Sequence, residues 1–294
     1  MIFATKPFEI HDGDGIRTTV FFKGCPLRCK WCHNPEGLSA YKQIMYNKDR
    51  CMGCGACAEV CACHKIENGV HTYDRENCIA CGKCTRECYS LALTQVGQTL
   101  TVEEVMQTVL LDQGSYTASG GGLTLSGGEP LMHGEFSVAL LQKAKEKHIH
   151  TCVETSGFGN PKVLAQMAEY TDLFLLDYKV TGDEAHKTLC GVPQRPILEN
   201  LAMLNDLGAK VILRCPLIPD LNGNEEHLQG IAATANKFSC ILEVQLEPYH
   251  RLGISKSGQL GLTPDYESQP PETEWTEDFA ERLRALCNKK VVIN

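Results

Sequence analysis

The chain has 294 residues, a formal net charge of −8 at pH 7 and 17 cysteines. Its length suits one large α/β domain with an insert, or two ordinary domains. The acidic balance and the scattered Lys and Arg residues argue against nucleic acid as a partner. The chain has neither a long uncharged apolar run nor a secretory signal, so we expect a soluble, cytoplasmic protein without a membrane partner. Seventeen thiols in such a chain indicate metal binding in a reducing setting.

The first predicted strand, residues 18–22, runs directly into three closely spaced cysteines, Cys25, Cys29 and Cys32. A four-iron cube takes one cysteine per iron, so three neighbouring cysteines leave one iron open for a non-protein ligand. A small molecule with an amino and a carboxylate group could chelate that iron and then receive an electron. The spacing therefore predicts a catalytic cluster with an open iron.

Two copies of one cysteine pattern follow, 27 residues apart. Each copy has the spacing Cys-x2-Cys-x2-Cys-x3-Cys of bacterial ferredoxins, in which the fourth cysteine of one copy binds the cluster of the other. This crossover predicts one cluster on Cys51, Cys54, Cys57 and Cys88. It predicts a second cluster on Cys78, Cys81, Cys84 and Cys61. We call these sets the first and the second thiol group.

The repeat departs from the ferredoxin pattern in two ways. Ala62 and Tyr89 replace the proline that usually follows each fourth cysteine, and Cys63 is an extra thiol that could compete for a ligand position. A pair of zinc sites is the alternative, because C-x2-C pairs also bind zinc. Five further cysteines are isolated, and we assign them no function: Cys152, Cys190, Cys215, Cys240 and Cys287.

Strands and helices alternate outside the cysteine-rich segment. Further strands are predicted at residues 123–125, 151–155, 173–177, 211–215 and 241–246. Helices are predicted at residues 101–113, with a capping box of Thr101 and Glu104, and at 135–147, 161–169, 198–207, 225–236 and 277–286. Repeated βα units imply a parallel sheet with right-handed crossovers. We expect an α/β fold, a partial (β/α)6 barrel of the TIM type, with an inserted ferredoxin-like two-cluster domain.

Polar and glycine-rich residues follow successive predicted strands. They are Gly127, Gly128 and Glu129 after the second strand, Glu154 and Thr155 at the third, Asp177 and Lys179 at the fourth, and Arg214 at the fifth. In a barrel these residues meet the first three cysteines at one mouth. Glycines allow close backbone approach to a ligand, and Lys179 or Arg214 could pair with a carboxylate. Each residue alone could be a cap, a turn or a solvated side chain, but together they predict a site.

Several segments resemble those of the glycyl radical enzyme activating enzymes, which are radical S-adenosylmethionine (SAM) proteins. They are Ile10-His-Asp-Gly-Asp-Gly-Ile-Arg17, Gly24-Cys-Pro-Leu-Arg-Cys-Lys-Trp-Cys-His-Asn-Pro-Glu36, Ser126-Gly-Gly-Glu-Pro130, Leu176-Asp-Tyr-Lys179, Arg214-Cys-Pro-Leu-Ile-Pro219 and Glu247-Pro-Tyr-His-Arg-Leu-Gly253. The cysteine repeat resembles the two-cluster insert of many family members. The pyruvate formate-lyase activator lacks that insert, which indicates a different partner here.

The resemblance implies roles by position. Cys25, Cys29 and Cys32 would hold the catalytic cluster, with Trp31 as the aromatic residue before the last cysteine. Gly127, Gly128 and Glu129 would meet the methionyl amino group of SAM, and Lys179 and His250 would lie near its carboxylate or ribose. Family members use an Asp-Thr pair and the fourth-strand Asp to hold a monovalent cation. The corresponding residues here are Glu154, Thr155 and Asp177, and Glu154 departs from that pattern.

The resemblance also implies a reaction. SAM at the open iron would be cleaved reductively to methionine and a 5′-deoxyadenosyl radical, which would abstract a glycine Cα hydrogen from a glycyl radical enzyme. We expect three 4Fe–4S clusters and a flavodoxin or ferredoxin-type reductant. The expected domains are a first barrel part (1–44), the insert (45–95) and the barrel remainder (96–294). Two alternatives remain: a radical SAM enzyme acting on a small molecule, and an electron-transfer iron–sulfur protein.

Overall fold

The computed structural model describes residues 1–294 as an α/β chain with twelve strands and eleven α-helices. The strands are β1 Ile2–Glu9, β2 Arg17–Phe22, β3 Gln43–Tyr46, β4 His64–Glu67, β5 Val70–Tyr73, β6 Leu93–Val96, β7 Gly122–Gly127, β8 His150–Thr155, β9 Leu173–Asp177, β10 Val211–Leu217, β11 Ile241–Pro248 and β12 Lys290–Ile293. The helices are α1 Ala56–Val60, α2 Lys83–Arg86, α3 Val102–Leu110, α4 Gln113–Ser119, α5 Gly134–Glu146, α6 Pro161–Ala168, α7 Asp183–Cys190, α8 Arg195–Asp206, α9 Glu225–Lys237, α10 Leu252–Leu260 and α11 Thr273–Leu286.

Eight strands form one sheet in the order β1-β2-β7-β8-β9-β10-β11-β12. Every pair in it is parallel except β1 with β2. The six predicted strands are β2 and β7 to β11, and they are neighbours in that order. The α/β class with a mostly parallel sheet is therefore confirmed.

The two edge strands, β1 and β12, were not predicted. The β1 strand contains Lys6 and Pro7 and is exposed over residues 6–8, so it lacks a continuous apolar run. The β12 strand has only four residues and begins with an exposed lysine. Short or charged strands are typical of sheet edges, where no second neighbour demands a buried sequence.

Outside the cysteine-rich segment, where no helix was predicted, the helices agree with the prediction except at three places. The capping box is present, because the Thr101 amide donates to Glu104 Oε2 at 2.7 Å and the Glu104 amide donates to Thr101 Oγ1 at 3.2 Å. The predicted helix at 101–113, however, divides into α3 and α4. The chain leaves helical geometry at Asp112, whose carboxylate accepts a hydrogen bond from Thr18 Oγ1 at 2.8 Å. Helices α7 and α10 were missed, since α7 is rich in polar residues and α10 in glycine and serine.

Strands β3 and β6 flank the cysteine-rich segment and pair with each other in antiparallel fashion. We call this pair the stem. Strands β3 and β6 pair from Gln43↔Val96 to Tyr46↔Leu93, and the β4–β5 hairpin pairs His64 with Tyr73. Arg75 joins this segment to the rest of the protein by donating to the carbonyl of Gln259 at 2.8 Å. None of the helices in the protein is long and apolar enough to cross a membrane.

Candidate active site

The loop that carries Cys25, Cys29 and Cys32 is fixed to the turn after β7 by backbone hydrogen bonds. The Gly128 amide donates to the Phe22 carbonyl and the Glu129 amide donates to the Gly24 carbonyl, each at 2.8 Å. A Cβ atom on Gly128 would lie 2.3 Å from the Gly24 carbonyl oxygen, so no other residue fits at this position. The glycine is thus required by contact with the cysteine loop, and both amides are already used.

The carboxylate of Glu129 is fully buried and ties the ends of β7 and β8 together. Its Oε1 accepts from Thr155 Oγ1 at 2.6 Å and from the Leu131 amide at 3.1 Å, while Oε2 accepts from the Ser156 amide at 2.9 Å. Burial raises the pKa of Glu129, and these hydrogen bonds oppose the rise. Unlike the other predicted strand-end residues, Glu129 does not line the cavity at the carboxyl ends of the parallel strands.

A cavity of about 600 Å³ lies at the carboxyl ends of the parallel strands. This volume is within the range of small-molecule sites. All the predicted cofactor-site residues except Glu129 line it: Cys25, Cys29, Cys32, Trp31, Gly127, Gly128, Glu154, Thr155, Asp177, Lys179, Arg214 and His250. Each of the six predicted strands contributes at least one lining residue, since Phe21 lines it from β2 and Glu247 from β11. We call this space the mouth cavity.

All three cations that line the mouth cavity, Lys179, Arg214 and Lys256, are paired with carboxylates, the last of them with Glu36 at 3.0 Å. Lys179 Nζ lies 2.9 Å from Asp177 Oδ2. Burial lowers the pKa of Lys179, but the Asp177 carboxylate together with the neighbouring thiols of Cys29 and Cys190 outweighs it, and the pKa is raised. The sequence suggested these two residues separately and did not reveal the pair.

Arg214 bridges two carboxylates, with Nη1 2.7 Å from Glu154 Oε1 and Nη2 2.8 Å from Glu247 Oε1. The second oxygen of Glu154 also accepts a hydrogen bond from the Ser126 hydroxyl. Burial raises the pKa of Glu154 to about 7, although Arg214 opposes the rise. In the sequence, Glu247 is recognisable only as the first residue of the segment that ends at Gly253. The pairing of β10 with β11 places Glu247 opposite Pro216, within reach of the Arg214 side chain.

The three cysteine side chains lie together in the loop after β2. Burial raises the pKa of Cys25 and of Cys32 to about 12. The thiol of Cys29 has a lowered pKa because it interacts with the thiol of Cys190, a fully buried residue at the end of α7. Cys190 had no assigned function, and nothing in the sequence places it here. Three thiols beside a large cavity fit a four-iron cluster with one open iron.

A second cavity, of about 580 Å³, also adjoins the cysteine loop. Its lining includes Tyr41, Tyr249 and Tyr266, together with the three cysteines. The rings of His33 and His250 stack at a centroid distance of 3.7 Å, and both residues line both cavities. In the sequence, His33 is recognisable only as the residue that follows the last cysteine of the loop. The cysteine loop is therefore shared by a charged cavity and by one with several aromatic residues.

The cysteine repeat brings its thiols together in the combinations that the crossover predicts. Cys51, Cys54, Cys57 and Cys88 line one small cavity with apolar neighbours such as Leu93. Cys84 is surrounded by the thiols of Cys61, Cys78 and Cys81, which together with burial raise its pKa to about 11. The thiol of Cys63 lies beside that of Cys61. Two all-thiol groups of four fit two four-iron clusters.

A third arrangement of donors overlaps the first thiol group. The side chains of Cys57, His64 and His71 have ligand atoms within 4.8 Å of one another, close enough to hold a metal ion. Burial, followed by the neighbouring His71, lowers the pKa of His64 to about 4, so His64 is neutral at pH 7.

Comparison with known proteins is consistent with this geometry. A family model described as the radical SAM superfamily matches residues 19–230. A choline trimethylamine-lyase activating enzyme of Oleidesulfovibrio alaskensis is 38% identical over 98% of this chain and 95% of its own length. An isethionate sulfite-lyase activating enzyme of the same species is 41% identical over 86% of this chain and 84% of its own length. The crystal structure of a domain of a pyruvate-formate lyase-activating enzyme from Bacteroides vulgatus has a TM-score of 0.50 and 26% identity, covering 59% of this chain and 99% of that one.

Proposed function

This chain belongs to the radical SAM superfamily and, within it, to the glycyl radical enzyme activating enzymes, and we propose that the mouth cavity holds its SAM. The protein activates a partner enzyme by radical SAM chemistry that gives the partner a glycyl radical. Family membership implies SAM and a 4Fe–4S cluster. The observation that carries the assignment of the cavity is the meeting of Cys25, Cys29 and Cys32 with residues from six strand ends.

When bound, the cluster and SAM would together supply one-electron cleavage of a carbon–sulfur bond, with an electron from an external reductant, and a carbon radical able to take the glycine hydrogen. In our proposal, Cys25, Cys29 and Cys32 are the catalytic cluster ligands. The backbone carbonyls of Gly127 and Gly128 accept from the methionyl amino group, since an amino group is a donor and needs an acceptor. Trp31 packs among buried apolar side chains, such as those of Leu27 and Tyr249, and so supports the cysteine loop.

Lys179 is the proposed partner of the methionyl carboxylate, and His250 faces the ribose. The Asp177 carboxylate at 2.9 Å keeps Lys179 charged and holds its ammonium group at the edge of the cavity. Charge-assisted hydrogen bonds of this kind both orient and bind a carboxylate. Asp177 and Glu129 are thus positioning residues, the first for a cation and the second for the turn.

The family pattern leads one to expect a monovalent cation at Glu154, Thr155 and Asp177, and we propose that Arg214 takes over its role in this chain. The chain's own charges bear on it directly, since Arg214 already bridges Glu154 and Glu247. The Thr155 hydroxyl is also engaged, by Glu129. We therefore propose that Arg214 supplies most of the positive charge that balances the carboxylates of Glu154 and Glu247.

We further propose that residues 45–95 form a ferredoxin-like insert with two 4Fe–4S clusters, one on each thiol group. Residues 1–44 and 96–294 then form a partial (β/α)6 barrel. The stem of β3 and β6 supports these boundaries, and the shared cavity at six strand ends supports the curled sheet. A flavodoxin or ferredoxin-type protein in the cytoplasm is the proposed electron source.

Helix α10 offers a physical connection between the insert and the catalytic loop. At one end, a Cβ on Gly253 would lie 2.2 Å from the Cys32 carbonyl oxygen, so the helix backbone packs directly on the loop. At the other end, Gly261 packs against Arg75, which precedes Cys78 by three residues. Nine helical residues span roughly 14 Å. This contact favours the second thiol group as the one nearer to the catalytic cluster.

The partner is a glycyl radical enzyme whose identity the named relatives do not fix, because their partners differ: a choline trimethylamine-lyase for one and an isethionate sulfite-lyase for another. We propose that the glycine segment of the partner enters through the second cavity, which adjoins all three cysteines. Its tyrosine rings offer broad contact area for a peptide backbone.

Radical formation on a partner tests the proposed function. The protein is incubated without oxygen with SAM, a reductant and candidate glycyl radical enzymes, and the mixture is examined by electron paramagnetic resonance (EPR). We expect a protein radical split by the remaining glycine α-hydrogen, and none with the Cys29→Ala variant. Vigorous SAM cleavage driven by a small metabolite, without a radical on any partner, would support a small-molecule enzyme instead.

A further inference from the structure

The repeat of the insert extends upstream of its cysteines, and there the two copies differ. Tyr46 and Tyr73 each stand five residues before the first cysteine of their copy. Two residues before the tyrosine, the first copy has Ile44 and the second copy has His71. An isoleucine cannot donate a hydrogen bond, whereas a histidine can. This single exchange makes the surroundings of the two thiol groups chemically unequal.

His71 is directed at the first thiol group. Its Nδ1 lies 3.8 Å from Cys51 Sγ, and its Nε2 lies 3.8 Å from Cys57 Sγ. The ring of Tyr46 packs edge-on against it at a centroid distance of 4.4 Å. His71 also lines the same cavity as the four cysteines of that group. It is therefore in contact with two of the proposed cluster ligands.

His64 holds the ring of His71 in this orientation. His64 is buried on the neighbouring strand of the hairpin, and its Nδ1 lies 3.0 Å from His71 Nε2. The ring of Tyr73 stacks on the other side of His64 at 4.6 Å. The remaining nitrogen of His64, Nε2, is buried without a partner.

This arrangement favours one placement of the ring hydrogens. If His64 Nδ1 donates to His71 Nε2, then His71 Nδ1 carries a hydrogen and donates it to Cys51 Sγ. The reverse placement directs a lone pair at the Cys51 sulfur and leaves a buried N–H of His64 without an acceptor. Either placement leaves His64 Nε2 buried without a partner, but only the reverse one turns a lone pair toward a thiolate, so the first placement is preferred.

We propose that His71 is a positioning residue that donates a hydrogen bond to the Cys51 sulfur and makes the cluster of the first thiol group easier to reduce than that of the second. Hydrogen bonds to cluster sulfurs stabilise the more negative, reduced state and so raise the reduction potential. His64 acts behind His71, as outer partners of metal ligands commonly do. This inference depends on the two clusters proposed for the insert.

A metal ion on Cys57, His64 and His71 is the competing interpretation. It would remove Cys57 from the first thiol group, although Cys57 shares a cavity with Cys51, Cys54 and Cys88. The 3.0 Å between the two histidine nitrogens is also an ordinary hydrogen-bond length. The shared cavity and this distance favour the hydrogen-bonded pair.

The test is a redox titration of the full-length protein, reconstituted without oxygen and followed by EPR. The variant His71→Phe keeps a ring but removes the donor, and Val70→Ala changes an exposed neighbour on the other face of the hairpin. The signal of the first cluster is identified as the one lost in Cys54→Ala. We expect His71→Phe to lower its midpoint by about 59 mV, a tenfold change in the one-electron equilibrium. The second cluster and the Val70→Ala protein should be unchanged.

Two further measurements keep the inference open to refutation. His64→Phe should shift the same cluster in the same direction by a smaller amount, and His71→Gln should restore part of the loss by its amide donor. Unchanged midpoints in both phenylalanine variants at full iron content would overturn the proposal. So would one zinc per chain that disappears with either histidine. Wild-type protein with only about four irons per chain would refute the insert clusters themselves, while leaving the radical assay unaffected.

Discussion

The two cysteine-rich regions differ in ligand number and in surroundings. The loop after β2 offers three thiols beside a cavity of about 600 Å³ whose walls carry paired charges from successive strand ends. The first thiol group of the insert offers four thiols in a small cavity with apolar neighbours. A site with one thiol too few and room for a ligand can do chemistry on that ligand. A site with a full set of thiols is suited to carry electrons.

The largest effect is expected from removing the three-thiol site. Replacing Cys25, Cys29 and Cys32 by Ala should abolish SAM cleavage, because no iron remains that SAM could reach. The iron content should fall by about a third, since each of three clusters holds four irons. Iron analysis and a SAM cleavage assay measure both quantities. A protein that loses nearly all its iron would show that the insert does not hold clusters independently.

The next largest effect is expected from the charged side chains of the mouth cavity, which have no counterpart around the first thiol group. Lys179→Ala should weaken SAM binding by roughly 10- to 150-fold, since it removes one charge-assisted hydrogen bond to the methionyl carboxylate. The matched control is Lys187→Ala, whose ammonium group pairs with Glu184 on the surface of α7. Equilibrium dialysis with labelled SAM gives the two dissociation constants. Equal affinities in both variants would rule out the assigned role of Lys179.

A smaller, selective effect is expected from the four-thiol groups. Cys54→Ala or Cys81→Ala should slow turnover with a flavodoxin or ferredoxin-type reductant by about tenfold or more, because electrons from a bulky donor must pass through the insert. Turnover with a small chemical reductant should change by less than about twofold. Equal losses with both reductants would instead indicate that the insert shapes or docks the partner.

The smallest effect tests the monovalent cation. Arg214 bridges Glu154 and Glu247 and balances their charge within the protein. SAM cleavage should therefore vary by less than about twofold among sodium, potassium and tetramethylammonium buffers of equal ionic strength. A strong requirement for one alkali cation would mean that a bound ion, and not Arg214, completes this wall.

The sequence predicts those parts of the molecule that repeat or that lie in long apolar runs. The six inner strands were found because continuous apolar segments alternate with amphipathic helices. The thiol groups were found because their spacing is regular. The edge strands β1 and β12 lack such runs, and α10 is a weak helix former that packs on the cysteine loop through Gly253.

The charge pairs of the mouth cavity could not be predicted in the same way. Arg214 meets Glu154 and Glu247 only because the four strands β8 to β11 lie side by side in register. Cys190 reaches Cys29 only because α7 ends against the loop, where the Arg28 amide donates to the Cys190 carbonyl at 2.7 Å. Even Glu129, whose turn is recognisable in the sequence, has its carboxylate bound to the Thr155 hydroxyl and the Ser156 amide. Each of these contacts depends on tertiary structure.

EPR of the reduced protein with and without SAM shows whether only the three-thiol site presents an open iron. We expect three cluster signals, of which SAM changes one, and that one should be absent when Cys25, Cys29 and Cys32 are replaced by Ala. SAM labelled with ¹⁵N or ¹⁷O at its amino and carboxylate groups should show magnetic coupling to the same cluster alone. A SAM-dependent change in a signal that survives the triple replacement would contradict the claim.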